Sequence, residues 1–195
     1  MIRLSKPQDG LSIAKLHSEY INKGFLTSLG LEFLEILYRS IATSKNAFCL
    51  VYEHEGRIVG FVSASTDIRK FYKEFIGRNF FVSIFALLPR LVNIRNVRKV
   101  LETLTYPSKG NTIGLPEAEI LSIVVEEKHQ GGGISEALFN EMKNEFRKRN
   151  IKRFRVVVGA NLIRARKFYE KTGGKLKGEF YVHEGEKSYV YEWEI

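Results

Sequence analysis

The stretch from residue 118 to residue 146 constrains the fold most, because an apolar run, a glycine loop and an amphipathic pattern follow one another in it. Residues 118–125 are mostly apolar and include β-branched side chains, which favours a buried strand. After the loop, apolar side chains recur every fourth position at Ile134, Leu138, Met142 and Phe146. This spacing predicts one buried face of a helix. The stretch therefore predicts a strand, a loop and a helix at the centre of a mixed α/β fold.

The loop itself predicts an anion site. It contains Gln130, Gly131, Gly132, Gly133, Ile134 and Ser135. Glycines let the backbone approach a ligand closely, and the first turn of the following helix offers unpaired N–H groups and partial positive charge. Such a site favours a phosphate group. No Lys-Ser or Lys-Thr pair follows the glycines, and their spacing differs from the dinucleotide-binding pattern, which excludes those two loop types.

Length and composition set the limits of the prediction. The 195 residues suit one domain over 1–195, and a hydrophobic content of 44% excludes a disordered chain. The net charge of +9 and the pI near 9.6 imply attraction to nucleic acid, to an anionic membrane surface or to a polyphosphate cofactor. Charge alone ranks none of these partners.

The remaining chemistry-bearing residues are few. The single cysteine, Cys49, lies in an apolar run and is expected to be a buried structural thiol. The four histidines are scattered, so no metal site is predicted. The chain opens without a signal peptide, and no apolar run approaches the roughly 20 residues of a membrane span. We therefore expect a cytoplasmic protein.

The order of predicted elements alternates strands and helices. Residues 2–4 are predicted to form an edge strand, Asp9 to cap a first helix, and Leu34, Leu37, Tyr38 and Ile41 to form the face of a second. Strands are expected at 48–53 and 58–65, joined as a hairpin, and at 154–158. A helix should then begin near Asn161 and end at Gly173, before a final hairpin of strands 176–182 and 188–194.

Residues 69–109 form a basic, aromatic-rich insert between the hairpin and the central strand. They contain nine Lys or Arg against two Glu, which gives +7 of the total charge. We expect two helices interrupted near Pro89. Three interpretations stay open: a helical insert packed on the domain, a basic face that docks on an acidic partner or a membrane surface, and, less favoured, a nucleic-acid surface.

Two linked motifs resemble those of the GNAT acetyltransferases. Gln130, Gly133 and Ser135 match motif A, although Ser135 replaces the usual Gly or Ala and Glu127 stands where a proline is common. Asn161, Ala165, Phe168, Tyr169 and Gly173 resemble motif B. The resemblance covers nearly the whole chain. It implies an α/β fold with a mixed sheet, the insert between strands 3 and 4, and acetyl-CoA as cosubstrate.

The resemblance also implies roles for individual residues. The loop 130–135 would hold the cofactor pyrophosphate, and the strand segment Ile123, Val124 and Val125 would hold the pantetheine arm and polarise the thioester. Asn161 would contact that arm or cap its helix, and Arg166 would meet an outer phosphate. The alternative for Arg166 is an ordinary exposed helix charge.

Two residues are the catalytic candidates. Glu119 lies in an apolar strand, eleven residues before Gln130, where one branch of the family has its general base. Burying an acidic side chain also costs free energy, which a functional role would explain. The alternative places Glu119 at an exposed strand start beside a lysine. Tyr169 resembles the acid that protonates the leaving thiolate, and its alternative is an aromatic core residue.

The sequence thus predicts an acetyl-CoA-dependent N-acetyltransferase that acts on a primary amine of a small molecule or a protein. The acceptor is not readable, and the fold is compatible with a homodimer. Two alternatives remain: a catalytically idle acyl-CoA-binding module, and a basic protein that binds membrane or nucleic-acid surfaces through 69–109.

Overall fold

A computed structural model describes residues 1–22, 24–87, 114–183 and 186–195 of the chain. In these residues one mixed sheet has the order β1-β2-β3-β4-β5-β7-β6. Every neighbouring pair is antiparallel except β4 and β5, which are parallel. The strands are β1 (Ile2–Leu4), β2 (Ala47–His54), β3 (Arg57–Ser65), β4 (Glu119–Val125), β5 (Arg153–Gly159), β6 (Lys175–His183) and β7 (Glu186–Glu194). The predicted mixed sheet and its edge strand β1 are confirmed.

The helices lie on both faces of this sheet. They are α1 (Gly10–Tyr20), α2 (Phe25–Ser28), α3 (Leu31–Thr43), α4 (Ile68–Leu87), α5 (Ile134–Lys148) and α6 (Ile163–Lys171), and single 3₁₀ turns span Pro7–Asp9 and Glu127–His129. The first part of the insert is thus one helix, α4. The predicted interruption near Pro89 and the second insert helix fall outside the described residues. None of the helices in the described residues combines the length and the apolar character that crossing a bilayer requires.

The sheet separates two apolar cores because side chains of a strand alternate between its faces. Val51 and Phe61 pack with α1, α3 and α4 on one face, whereas their neighbours Leu50 and Val62 pack with α5 and α6 on the other. The predicted apolar face of α3 lies in the first core, and Leu138, Met142 and Phe146 of α5 are fully buried in the second. The two helical patterns are therefore confirmed.

Several local predictions are also confirmed. The β2–β3 hairpin turns through Glu55 and Gly56, whose φ angles of 50° and 74° suit a two-residue hairpin turn. Gly173 follows α6 with a φ of 89°, which favours glycine after a helix. Cys49 is 1% exposed, and burial raises the pKa of its thiol.

Two capping predictions are wrong. The Asp9 carboxylate accepts hydrogen bonds from the Lys6 backbone N–H and from Arg3 Nη1, both at 2.7 Å, so it stabilises the turn before α1 and not α1 itself. Helix α6 begins at Ile163, two residues after Asn161. Leu162 holds its N-cap position, and no side chain of the described residues caps it there. For Asp9, competing partners that the sequence does not reveal decided the outcome.

Candidate active site

The two parallel strands at the centre of the sheet diverge. In the described residues, β4 and β5 pair at two positions, Glu119 with Arg155 and Ile120 with Val156. Beyond them β4 stays paired with β3 as far as Val125, and β5 stays paired with β7 as far as Gly159. Because each of the two strands stays hydrogen-bonded to its other neighbour, the sheet opens only between β4 and β5. Backbone groups of β4 that face the opening are available to a ligand.

The glycine loop closes one end of this opening. Gly131 and Gly133 have φ angles of 81° and 79°, and Gly133 is the N-cap residue of α5. A Cβ added at either position would meet no described atom within 4 Å, so the backbone conformation, and not crowding, requires glycine there. The first turn of α5 therefore starts from a glycine with its amide groups directed to the cleft end, as anion binding requires.

Gln130 fastens this loop to both sides of the opening. Its Nε2 donates to the Val125 carbonyl at 2.8 Å, and its Oε1 accepts from Arg164 Nη2 at 3.0 Å. The side chain thereby joins the end of β4 to α6. Gln130 consequently positions the loop as well as lining the cleft.

The opening continues into a cleft of about 930 Å³, within the range of ligand-binding sites. Its walls are the end of α1, the end of β4, the glycine loop and one face of α6. Eight of the predicted residues line it: Ile123, Val124, Val125, Gln130, Gly131, Ser135, Asn161 and Tyr169. Among the described lining residues, Gly132, Gly133, Ile134 and Arg166 are absent. The strand and both motifs therefore meet in one site.

Arg166 is directed away from this cleft. Its guanidinium lies 4.2 Å from the centre of the Tyr189 ring and donates to the Ala160 carbonyl at 3.2 Å. Arg164 lines the cleft in its place, together with Lys171, which pairs with Glu136 at 3.0 Å. Helical spacing would have found Arg164, because residues 164, 168 and 171 share one face of α6.

The cleft also holds acidic groups. Glu19, Glu127 and Glu136 line it beside the two cations. The hydrogen bond from Lys171 lowers the pKa of Glu136, so this carboxylate stays ionised and paired with Lys171 at neutral pH. Attraction for a phosphate group therefore depends on the loop amides and on Arg164, and not on a general excess of positive charge.

Glu119 forms a buried ion pair with the neighbouring strand. Its Oε2 accepts from Arg155 Nε at 2.8 Å, and the two side chains are 9% and 1% exposed. The alternative of an exposed strand start beside a lysine is wrong. The guanidinium stabilises the ionised carboxylate in a place where a lone charge would be costly.

Tyr169 belongs to the core and to the cleft at once. It is 5% exposed and packs within 6 Å of the ring centres of Phe168 and Trp193, yet it also lines the cleft. Burial raises the pKa of its phenol, which therefore stays protonated at neutral pH but is also a weaker acid. The two interpretations of Tyr169 are thus compatible.

A second, smaller cavity lies beside β4 at residues 119–122 and was not predicted. Its volume is about 120 Å³, and it is enclosed by α2, α3, α4, β3 and β4. Glu119, Leu121 and Ser122 line it, as does Val157 of β5. It therefore begins where β4 and β5 cease to pair. Its walls come from separate parts of the chain, so no local pattern announced it.

The geometry defines a class of protein. It is a mixed α/β protein in which the central parallel strands diverge beside a cleft, and a glycine loop suited to anion binding lies at one end of that cleft. Among the described residues, no three or more His, Cys, Asp or Glu side chains cluster so as to hold a metal ion.

The comparisons then give the family. Residues 12–174 match the model of the acetyltransferase (GNAT) family, so the chain belongs to that family. No curated protein matches the sequence.

Solved structures share the fold at low sequence identity. A putative GNAT acetyltransferase from Desulfovibrio desulfuricans is 15% identical, with a TM-score of 0.64 over 100% of this chain and 98% of that one. The PaiA N-acetyltransferase of Thermoplasma acidophilum, in complex with coenzyme A, is 13% identical, with a TM-score of 0.63 over 100% and 98%. A putative streptothricin acetyltransferase of Bacillus anthracis, in complex with acetyl coenzyme A, is 15% identical, with a TM-score of 0.53 over 81% and 68%. The chain thus has the fold of an acyltransferase.

Proposed function

We propose that the protein is an acetyl-CoA-dependent N-acetyltransferase that transfers an acetyl group directly to a primary amine. The observation that carries the proposal is the cleft lined by the end of β4, the glycine loop and one face of α6, along the part of β4 that no longer pairs with β5. The family and the two relatives solved with coenzyme A or acetyl coenzyme A support the choice of cosubstrate.

In this proposal the cleft holds acetyl-CoA along β4. Backbone amides of Ile123 and Val125 bind the pantetheine arm as an added strand would, and Asn161 contacts it from the turn before α6. The pyrophosphate lies at the loop 130–135, where the first turn of α5 supplies N–H groups. Arg164 supplies the positive charge that the sequence-based prediction had assigned to Arg166.

The chemistry requires one base and one acid. An alkylammonium group has a pKa near 10, so the amine must lose a proton before its lone pair attacks the thioester carbonyl. Glu119 accepts that proton, directly or through water. The new C–N bond forms and the C–S bond breaks. The Tyr169 phenol donates its proton to the departing thiolate, and the acylated nitrogen releases its second proton through water, which restores the phenol.

The Arg155 guanidinium gives Glu119 a second property. It holds the Glu119 carboxylate by a hydrogen bond at 2.8 Å, so the proton acceptor has a fixed position when the amine arrives. Glu119→Gln should therefore slow turnover at least tenfold while leaving the affinity for acetyl-CoA unchanged. Turnover of Glu119→Gln that equals wild type across the pH range would remove Glu119 as the base.

The first test is a thermal-unfolding titration with acetyl-CoA, longer acyl-CoAs and ATP as the nucleotide control. A ligand at a hundred times its dissociation constant adds about 2.7 kcal/mol to the free energy of unfolding. Stabilisation by acetyl-CoA but not by ATP is expected. No stabilisation by any acyl-CoA would refute the proposal.

The second test is release of the coenzyme A thiol in the presence of a panel of primary amines. Amine-dependent release is expected. Tight acetyl-CoA binding without turnover on any amine would instead identify an idle acyl-CoA-binding module. The basic-surface hypothesis depends largely on residues 88–109, which lie outside the described residues, and no observation here favours it.

A further inference from the structure

The cavity of about 120 Å³ beside Glu119 lies where an acceptor would meet the thioester. Strand β4 passes along both sites: Ile123, Val124 and Val125 line the large cleft, whereas residues 119–122 line the small cavity. Val157 of β5 completes its wall just beyond the last paired residues. An acyl group at the inner end of the cleft would therefore face the mouth of this cavity. The inference rests on the proposed function.

The walls of the cavity are largely hydrocarbon. Six apolar side chains from α2, α3 and α4 line it and are buried: Leu29, Phe33, Leu37, Ile41, Phe71 and Phe75. Phe33 and Phe75 meet edge to face at 5.8 Å, which fixes the shape of one wall. An apolar cavity of about 150 Å³ is known to hold a benzene molecule. The volume here suits a group of about five or six carbon atoms.

Three of the four side-chain hydroxyl groups in the described walls are already engaged, and the fourth, that of Tyr72, interacts with Glu119 at the charged end. The Tyr38 hydroxyl lies 2.6 Å from His17 Nδ1, the Ser122 hydroxyl donates to the Leu121 carbonyl at 2.8 Å, and the Ser63 hydroxyl donates to the Ser122 carbonyl at 3.5 Å. A hydroxyl or a second ammonium group of an acceptor would lose its water here with poor replacement, which weakens binding about tenfold or more.

The charge of the cavity is confined to one end. Glu119 is its acidic lining residue among the described ones, and Arg155 holds that carboxylate at the junction of β4 and β5. The amino group of an acceptor fits this end, and an apolar group fits the opposite end between α3 and α4. The opposite orientation would bury an amine among Leu and Phe side chains without a partner.

We propose that the acceptor is a primary amine carrying a compact apolar group of about five or six carbons, held in this cavity, and that Leu37 helps set its size. Amino sugars, amino alcohols and polyamines are then poor acceptors. The specificity follows from the exclusion of polar groups as much as from the fit of apolar ones.

The experiment compares apolar and polar primary amines in the thiol-release assay with the full chain. Isoamylamine and benzylamine are set against ethanolamine, putrescine and glucosamine. We expect kcat/KM to be at least about tenfold higher for the apolar amines. Equal or better use of the polar amines, or no turnover of either apolar amine, overturns the inference.

Two variants of α3 make the test specific to the cavity. Leu37→Ala enlarges the cavity, whereas Leu34→Ala removes an equally buried side chain of the same helix that is absent from the described lining residues. Leu37→Ala should shift the preference from benzylamine toward the larger 3-phenylpropylamine about tenfold, and Leu34→Ala should leave the ratio unchanged. Equal ratios in both variants overturn the role of Leu37.

The acetyl-CoA titration separates this inference from the proposed function. Absence of any acyl-CoA binding refutes the function, and the inference with it. Normal acetyl-CoA binding together with efficient acetylation of polar amines refutes only the inference. Circular dichroism at the assay temperature confirms that each variant compared is folded.

Discussion

Glu119→Gln tests the buried ion pair that joins the two central strands. The change removes the negative charge and keeps the size of the side chain, so Arg155, at 1% exposure, loses the carboxylate that pairs with it. Breaking a buried pair on one side costs about 3 to 5 kcal/mol. We expect a loss of about 3 kcal/mol, the lower end of that range, because the Gln oxygen still accepts a hydrogen bond from Nε.

Urea unfolding followed by circular dichroism measures this loss. With a slope of about 2 kcal/mol per molar urea, the midpoint should fall by about 1.5 M. Glu35→Gln is the matched control, since it breaks the exposed pair between Glu35 and Arg39, which is worth less than about 1 kcal/mol. The double variant Glu119→Met with Arg155→Met should recover much of the lost stability, because hydrophobic replacement removes both desolvated charges.

The result that would refute the reasoning is a Glu119→Gln midpoint within experimental error of the Glu35→Gln midpoint. The two carboxylates would then be equally solvated, and the tight β4–β5 junction would not be the dry site described above. A double variant less stable than the single one would likewise contradict the charge argument.

Three further predictions concern the loop, the cleft and the first core. Gly133→Ala should lower the free energy of unfolding by about 1 to 2 kcal/mol, because the φ of residue 133 is left-handed. Gly132→Ala should change it little, since the added Cβ lies 3.7 Å from His129 O, an ordinary contact distance. Equal urea midpoints for the two variants would contradict this. Arg164→Ala should weaken acetyl-CoA binding about tenfold or more by calorimetry, and Arg166→Ala should leave it unchanged; the reverse order would restore the original assignment. Burial lowers the pKa of His17 to about 4, below its ordinary value of 6.5, so the folded state favours the neutral ring. The contribution of His17 to the free energy of unfolding is therefore fully present above pH 6.5 and should fall by about 3 kcal/mol as the pH drops to 4. If the free energy of unfolding of His17→Asn depends on pH as steeply as that of the wild type, the loss belongs to other groups.

Much of the fold follows from local patterns. The α3 face, the α5 face and the hairpin through Glu55 and Gly56 were all predictable, because periodicity and turn composition act over a few residues. Capping was less predictable, because several neighbouring groups can donate to the Asp9 carboxylate. In the structure Arg3 and the Lys6 backbone N–H donate to it, and the first turn of α1 does not. Competition between nearby hydrogen-bond donors cannot be predicted from the spacing of residues.

The site divides in the same way. The sequence by itself determined the strand, the glycine loop and the placing of Glu119, Gln130 and Tyr169, because each belongs to a contiguous motif. Tertiary structure alone decided that Glu119 meets Arg155, 36 residues away, since that pairing depends on the register of two parallel strands. It also decided that Arg164 and not Arg166 faces the cleft.

The small cavity is the clearest case of a feature that only the tertiary structure decided. Its walls come from three strands and three helices, and its apolar lining side chains are, in their own segments, ordinary core residues. A sequence specifies which side chains leave water. The space they fail to fill depends on how separate elements pack, and here that space lies beside the one buried carboxylate that the motif had identified.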